Sequence, residues 1–256
     1  MASSFSGCTE QGPEVTDYFN GEYEAGDNTV LKVTSVNGQI KINSWEGDTV
    51  KLDAIKRSRF DREELEKVEI EVTEGDNEIK IEVKYLDPGD ARVSVDMNIK
   101  VPDNIIVDYA KTSNGDIQIS GTKGDTEASS SNGAIIIDGV DGYVKASTSN
   151  GGIDIKGTTG IDDLETSNGA INAEIFDFQK DVDIKTSNGG ITVYINPSLD
   201  ADIEMGTSNG KISVNDVTLA LTSSEENYMK GTLGEGGDKL SIKTTNGNVN
   251  LNKLVA

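Results

Sequence analysis

The sequence predicts an all-β protein: an elongated β-solenoid, parallel β-helix-like, with coils of ~18–21 residues and Asn-Gly corners. Three observations point there. First, the phrase T-S-N-G or a close variant stands at Thr112–Gly115, Ser130–Gly133, Thr148–Gly151, Thr166–Gly169, Thr186–Gly189 and Thr207–Gly210, and as T-T-N-G at Thr244–Gly247. Second, the glycine-to-glycine intervals are 18, 18, 18, 20, 21 and 37 residues, the last close to two periods with one phrase lost. Third, aromatics are only 5% of residues while glycine numbers 28, which suits a thin interior of Ile, Val, Ala and Thr.

Alignment on the glycine sorts the apolar residues into columns. Two residues after it come Ile117, Ile135, Ile153, Ile171, Ile191, Ile212 and Val249, and four after it Ile119, Ile137, Ile155, Ala173, Val193, Val214 and Leu251. That is the period-two alternation of a strand with one buried face. Five residues before the glycine stand Ala110, Ala128, Ala146, Leu164, Ile184, Met205 and Ile242, in a second strand whose inward parity includes the Thr or Ser of the phrase. The threonine column is therefore expected inside, with its hydroxyl bonded to backbone or to the next threonine. The outward column is Ser113, Ser131, Ser149, Ser167, Ser187 and Ser208.

Between the two strands lie the corner residues Asn114 and Gly115, Asn132 and Gly133, Asn150 and Gly151, Asn168 and Gly169, Asn188 and Gly189, Asn209 and Gly210, and Asn246 and Gly247. Both residue types tolerate positive φ. The opposite corner carries a G-x-x-G spacing at Gly121 and Gly124, Gly139 and Gly142, and Gly157 and Gly160. Such units close either as stacked solenoid coils or as an antiparallel hairpin meander with type I′ turns. Identical Thr, Asn and Ile columns at a constant period favour the solenoid, because ladders between coils select for identity and a meander does not.

The chain divides into a flexible leader (1–12), irregular β coils (13–110) and the regular array (111–256). Ser35-Val36-Asn37-Gly38 is an early copy of the phrase, and Gly38 lies 77 residues before Gly115, close to four periods. The intervening segment then reads as coils that lost the phrase, with strands at 49–54, 68–73, 78–85 and 91–101 and a short helix over Asp61–Lys67. A bend is expected at Pro102-Asp103-Asn104, and a bulge where Val107 and Tyr109 run out of phase with Ala110 and Thr112. Phe176-Asp177-Phe178 and Asn196-Pro197-Ser198 read as corner insertions, and Thr222–Gly237 as a segment without the phrase containing a loop at 223–227.

Several chemistries are excluded. The chain has no histidine and one cysteine, so it lacks His-based nucleophile activation, His metal ligation and Cys-rich zinc sites. The formal charge of −22 is spread evenly, with 12 basic against 24 acidic residues before Lys111 and 11 against 21 from there on, which opposes binding to nucleic acid. Neither carboxylate pair considered for glycan cleavage, Asp138 with Asp141 or Asp162 with Asp163, recurs in a column or sits beside an arginine. No carboxylate column follows Asn-Gly, so no tight calcium site is expected, and no cofactor. For sugar platforms only Tyr143, Phe176, Phe178 and Tyr194 qualify, with corner packing as the competing role. Phe5-Ser6-Gly7-Cys8 has the form of a lipoprotein signal's end, which makes Cys8 a lipidation candidate; the alternative is a solitary cysteine.

The serial T-S-N-G units resemble an adhesin-like family of bacterial and archaeal envelope proteins, a domain of unknown function. The same resemblance extends to Trp45-Glu46-Gly47-Asp48-Thr49, to Lys56-Arg57-Ser58-Arg59 before a Glu-rich turn, and to the closing Gly234–Gly237 and Leu240–Gly247 segments. It covers about residues 30–251 and implies a β-helical repeat without catalytic residues to carry over. Taken with the repeat, it implies a non-enzymatic, surface-exposed or secreted scaffold, possessing no membrane-inserted segment and recognising a protein or glycan at the cell envelope. The alternative is a glycan-active β-helix enzyme.

Overall fold

A computed structural model describes residues 14–86 and 92–255. It is nearly all β, with 66% strand and 2% helix. The N-terminal part contains β1 (Val15–Glu24), β2 (Val30–Thr34), β3 (Ile40–Trp45) and β4 (Thr49–Ser58). Helix α1 (Arg62–Glu66) follows, then β5 (Val68–Gly75), β6 (Glu78–Tyr85) and β7 (Val93–Pro102). The regular array begins with β8 (Ile106–Lys111), β9 (Ile117–Ser120), β10 (Thr126–Asn132), β11 (Ile135–Asp138), β12 (Tyr143–Asn150) and β13 (Ile153–Lys156). It continues through β14 (Gly160–Asn168), β15 (Ile171–Ile175), β16 (Val182–Asn188), β17 (Ile191–Ile195), β18 (Ala201–Asn209) and β19 (Ile212–Asn215). The chain ends with β20 (Ala220–Ser224), β21 (Tyr228–Leu233), β22 (Lys239–Asn246) and β23 (Val249–Lys253).

Alternate strands of the array enter different sheets. The phrase-bearing strands join a 12-stranded sheet, and the strands after the corner join an 11-stranded one. Within each sheet, successive coils pair in parallel and in register, as in Ile135↔Ile153 and Thr148↔Thr166. The Asn-Gly corner thus carries the chain from one sheet to the other, which makes the repeat a solenoid and rules out the hairpin meander. Between the sheets the isoleucine columns form one dry core, with Ile117, Ile135, Ile153, Ile171 and Ile191 almost fully buried. Ladder pairing satisfies the backbone while the inward columns remove apolar area from water, worth about 25 cal/mol per Å².

Stacking order departs from chain order at both ends. The coil of β2 and β3 lies between the coil of β6 and β7 and that of β8 and β9. At the other end, β22 and β23 lie between the coils of β16–β17 and β18–β19. Asn37 therefore bridges directly to Asn114, not across four periods. Likewise, the 37-residue interval holds no lost coil: Thr244 pairs with both Thr186 and Thr207.

Antiparallel strands finish the stack. β4 pairs with β7 and β1 with β4 on one sheet, and β5 pairs with β6 on the other, so the lost-phrase coils expected between Gly38 and Gly115 reduce to one coil, β6–β7. At the far end β21 pairs antiparallel with β18, and β20 with β21. The segment expected to carry a loop at 223–227 is thus largely a hairpin. Its strands cover the edge of β18, which would otherwise expose unpaired backbone. Elsewhere the expected irregularities appear: the helix is capped by the Asp61 side chain accepting from the Glu64 N–H, and the register slips between Val107 and Tyr109.

Candidate binding surfaces

The repeat phrase builds one long edge of the solenoid. Each corner asparagine donates from Nδ2 to Oδ1 of the asparagine on the neighbouring coil: Asn114 to Asn37, Asn132 to Asn114, Asn150 to Asn132, Asn168 to Asn150, Asn188 to Asn168, Asn246 to Asn188 and Asn209 to Asn246. These seven bonds measure 2.7–2.9 Å and align eight side-chain amides along the edge. Inside the corner, the buried threonine or serine from Ser130 onward donates to the corner glycine carbonyl of the adjacent coil, as Thr148 Oγ1 does to Gly133 O at 3.0 Å and Thr166 Oγ1 to Gly151 O at 2.9 Å, whereas Thr112 Oγ1 donates to Val36 O at 3.3 Å. The threonine hydroxyls are thus satisfied by backbone and not by one another.

The glycine requirement has a second cause beside the one expected. Among described residues, positive φ at non-glycine positions occurs only at Asn28, Asn77 and Asp216, so no corner asparagine is left-handed. Of the corner glycines, Gly38, Gly189 and Gly247 have the expected positive φ, at 115°, 157° and 158°, whereas Gly115, Gly133, Gly151, Gly169 and Gly210 do not. Space is what excludes a side chain: a Cβ on Gly133 would lie 2.0 Å from Gly115 O, and one on Gly151 2.1 Å from Gly133 O. Positive φ is also found at the opposite corner, where Gly121, Gly139 and Gly157 have φ of 65°, 70° and 59°.

Away from the edge, the two outer faces are largely polar. On one, Ser131, Ser149, Ser167, Ser187 and Ser208 form an exposed file. Lysine–carboxylate pairs tie neighbouring coils together, including Lys111–Glu127 at 3.1 Å, Lys185–Glu165 at 3.4 Å and Lys156–Asp138 at 3.3 Å. Exposed pairs of this kind contribute little each, with a median of about 0–1 kcal/mol. Glu204 is the exception, held between Lys239 at 2.5 Å and Lys243 at 2.7 Å with its side chain only 16% exposed. Hydrogen bonds from both lysines push its carboxyl down to about 2. The other outer face carries half-exposed Ile136 and Tyr194, and Phe176 lies at the end of β15.

The candidate carboxylates serve separate neighbours. Asp138 faces Lys156 and Asp141 accepts from Thr159 Oγ1, whereas Asp162 pairs with Lys180 and Asp163 accepts from the Asp183 N–H. Of the aromatic candidates, Phe178 is buried at a corner, and Tyr143 donates to Asp177 at 2.6 Å, a bond that raises the phenol's pKa. Tyr194 and Phe176 remain accessible. Cys8 lies outside the described residues. Among the described residues, no cluster of three or more His, Cys, Asp or Glu converges as a metal site would require, and no helix is long and apolar enough to cross a membrane.

Sequence reasoning missed the single ladder that includes Asn37 and Asn246, although both asparagines sit in the phrase. It also missed a hollow at the N-terminal end, which is lined by residues distant in sequence and had no periodic signal.

Together the parallel two-sheet winding, the asparagine edge and the polar outer faces define a β-solenoid repeat protein. Residues 61–252 match the Toastrack model DUF4097, and the chain belongs to that family, at which level the adhesin-like resemblance holds. No curated protein matches. Among solved structures, a candidate cell adhesion protein from Clostridium sporogenes is 16% identical over 94% of this chain and 100% of that one, with a TM-score of 0.38. A candidate adhesin from Bacteroides fragilis is 12% identical over 92% and 97% of the two chains, with a TM-score of 0.43. A candidate lipid binding protein from Parabacteroides distasonis is 12% identical over 93% and 97%, with a TM-score of 0.30.

Proposed function

We propose that this chain is a non-enzymatic binding scaffold of the cell envelope or surface, which engages a protein or glycan through the outer sheet faces of its solenoid. The observation that carries this reading is the outer face bearing Tyr194, Ile136 and the file Gln118, Asp154, Asn172 and Thr192. On that face in-register strands hold exposed polar groups and an aromatic ring at the spacing of the coils, about 4.8 Å. Amphipathic aromatics on a rigid polar sheet suit recognition of an extended partner. A lipid on Cys8 would tether the body to the membrane, and the negative charge disfavours nucleic acid.

The test is binding of the purified protein to arrays of extracellular proteins and surface glycans, with release of reducing ends measured in parallel. Retention of one class of partner, weakened about tenfold by Tyr194→Ala and unaccompanied by cleavage, is the expected result. Catalytic release of reducing ends would overturn the scaffold reading.

A further inference from the structure

The two ends of the stack are finished differently. At the N-terminal end the outermost strands are β1 in one sheet and β5 in the other, and each carries three acidic residues and no basic one: Asp17, Glu22 and Glu24 on β1, Glu69, Glu71 and Glu74 on β5. Charge of this kind keeps an open edge from pairing with another chain. At the C-terminal end the outermost strands are β19 and β20, and neither contains a charged residue or a proline. The segment from Lys211 to Ser224 holds one lysine and one aspartate, so it is neutral within a chain of net charge −22.

The neutral edge is also open. Val249 N–H donates to Lys211 O, so Lys211 and Ser213 face β23 and the main-chain groups of Ile212 and Val214 point to the other side. In earlier coils the equivalent groups are paired, as Ile171 N–H is with Gly190 O and Ile191 N–H with Asn248 O; among the described residues no strand pairs with that side of β19. The side chains follow suit. Ile117, Ile135, Ile153, Ile171 and Ile191 of this column are buried, whereas Ile212 and Val214 are only partly so. The other sheet reaches further: beyond β18, which shares a coil with β19, it adds β21 and β20, and this leaves a step two strands high. Met229 pairs with buried Met205, and Leu221 through Gly231 with buried Ile203, so both lie on the inward parity of those strands. Even so, Met229 is only half-buried and Leu221 is 51% exposed.

We propose that this step is a self-complementary interface, at which a second copy of this chain docks end to end to form a closed dimer. Strand β20 runs with β18, and β19 is the return strand of that coil, so a two-fold axis along the strands sets β20 of each protomer antiparallel beside β19 of its partner. Both sheets then continue through the junction, the outward main-chain groups of Ile212 and Val214 gain a ladder, and Leu221 and Met229 close over the last rung of the isoleucine column. A single foreign strand would cover β19 and leave β20 open. The interface is separate from the outer face bearing Tyr194, so it stands or falls independently of any ligand there. Sedimentation equilibrium of the intact protein in ~0.15 M salt, where exposed charges are screened beyond ~8 Å, should give the mass of two chains of 27.3 kDa and no further growth with concentration. Val214→Pro removes an N–H that serves no bond inside the protomer, and Leu221→Glu places a charge on the neutral edge; each should weaken the dimer about tenfold or more, with thermal melts near wild type. Tyr18→Glu, on β1 at the opposite end, should leave the dimer unchanged. Hydrogen exchange should find the amides of Ile212 and Val214 protected in the dimer and exposed in Leu221→Glu, and these data decide the matter if Val214→Pro fails to fold. A monomer up to ~100 μM, a mass that keeps growing as head-to-tail stacking would make it, or a dimer that survives in folded Leu221→Glu overturns the proposal.

Discussion

Gly169→Ala tests what the repeat glycine is for. A Cβ built there lies 1.9 Å from Gly151 O and 2.5 Å from its carbonyl carbon. An ordinary C···O contact is near 3.3 Å, so the two coils would have to part by roughly 1.4 Å at this edge. Three bonds cross that gap at hydrogen-bonding distance: Thr166 Oγ1 to Gly151 O at 2.9 Å, Asn168 Nδ2 to Asn150 Oδ1 at 2.9 Å, and Gly151 N–H to Asn168 O at 3.0 Å. Losing most of them at about 1 kcal/mol each, with strain where opening is incomplete, gives a cost of roughly 3–4 kcal/mol. Gly139 is the control. Its φ is +70°, yet the nearest atom to an added Cβ is 3.8 Å away, so Gly139→Ala carries only the left-handed penalty of about 1–2 kcal/mol. Asparagine separates the two causes: Gly139→Asn should recover much of the loss, and Gly169→Asn should recover none. Denaturant melts of the four variants measure this. Equal costs at the two glycines, or rescue of position 169 by asparagine, would refute close approach as the reason for the phrase.

Ile191→Ala, in the fully buried column, should cost about 2–5 kcal/mol, whereas exposed Ser187→Ala should stay within about 0.5 kcal/mol in the same melts. Thr148→Val keeps the shape but removes the donor to Gly133 O, and should cost about 1–2 kcal/mol; Thr148→Ser should cost less. Glu204 gives a pH signature. Its folded pKa, about 2, is below the ordinary 4.5, so its contribution is fully present above pH 4.5 and is lost as pH falls from 4.5 through about 2. Allowing for solvent screening this amounts to about 1–2 kcal/mol, and Glu204→Gln should flatten that part of the stability–pH curve. An unchanged acid limb in that variant would show that the two lysines do not hold the carboxylate.

The array was legible because neighbouring coils impose the same demand on the same position. Ile135 must match Ile117 and Ile153, and Thr148 must reach a glycine carbonyl, so columns written in the sequence became columns in space. Stacking order was not legible, because a period counts along the chain and says nothing about which coil sits on which. Gly38 and Gly247 carry the same local chemistry whether their coils stack in sequence or between two others. The hairpin of β20 and β21 was hidden for another reason: an end strand pairs on one side only, and Ala220–Ser224 is mostly exposed and lacks strong alternation. The glycine itself was recognised for only part of its role: positive φ holds at Gly38, Gly189 and Gly247, but an Asn-Gly dipeptide cannot announce a carbonyl 2.0 Å from where a methyl would be. As for the hollow at the N-terminal end, Asn37, Arg57 and Arg92 meet there only through the pairing of β4 with β7 and of β3 with β7.

The insertion of β22 and β23 between two earlier coils bears on the order of events in folding. Until the last residues are available, the strands 201–209 and 212–215 face a neighbour at 182–195 with the same threonine, asparagine, glycine and isoleucine columns, and nothing in those columns forbids direct contact. Where such a direct stack formed it would compete with the native order, and it would have to open before residues 239–253 could take their place. The protein therefore resembles a closed book whose final page belongs inside the binding. Refolding followed by hydrogen exchange should show the amides of 201–215 protected early, exposed again, and protected finally together with 239–253. Simultaneous, single-step protection of both segments would show that the slot stays open until it is filled.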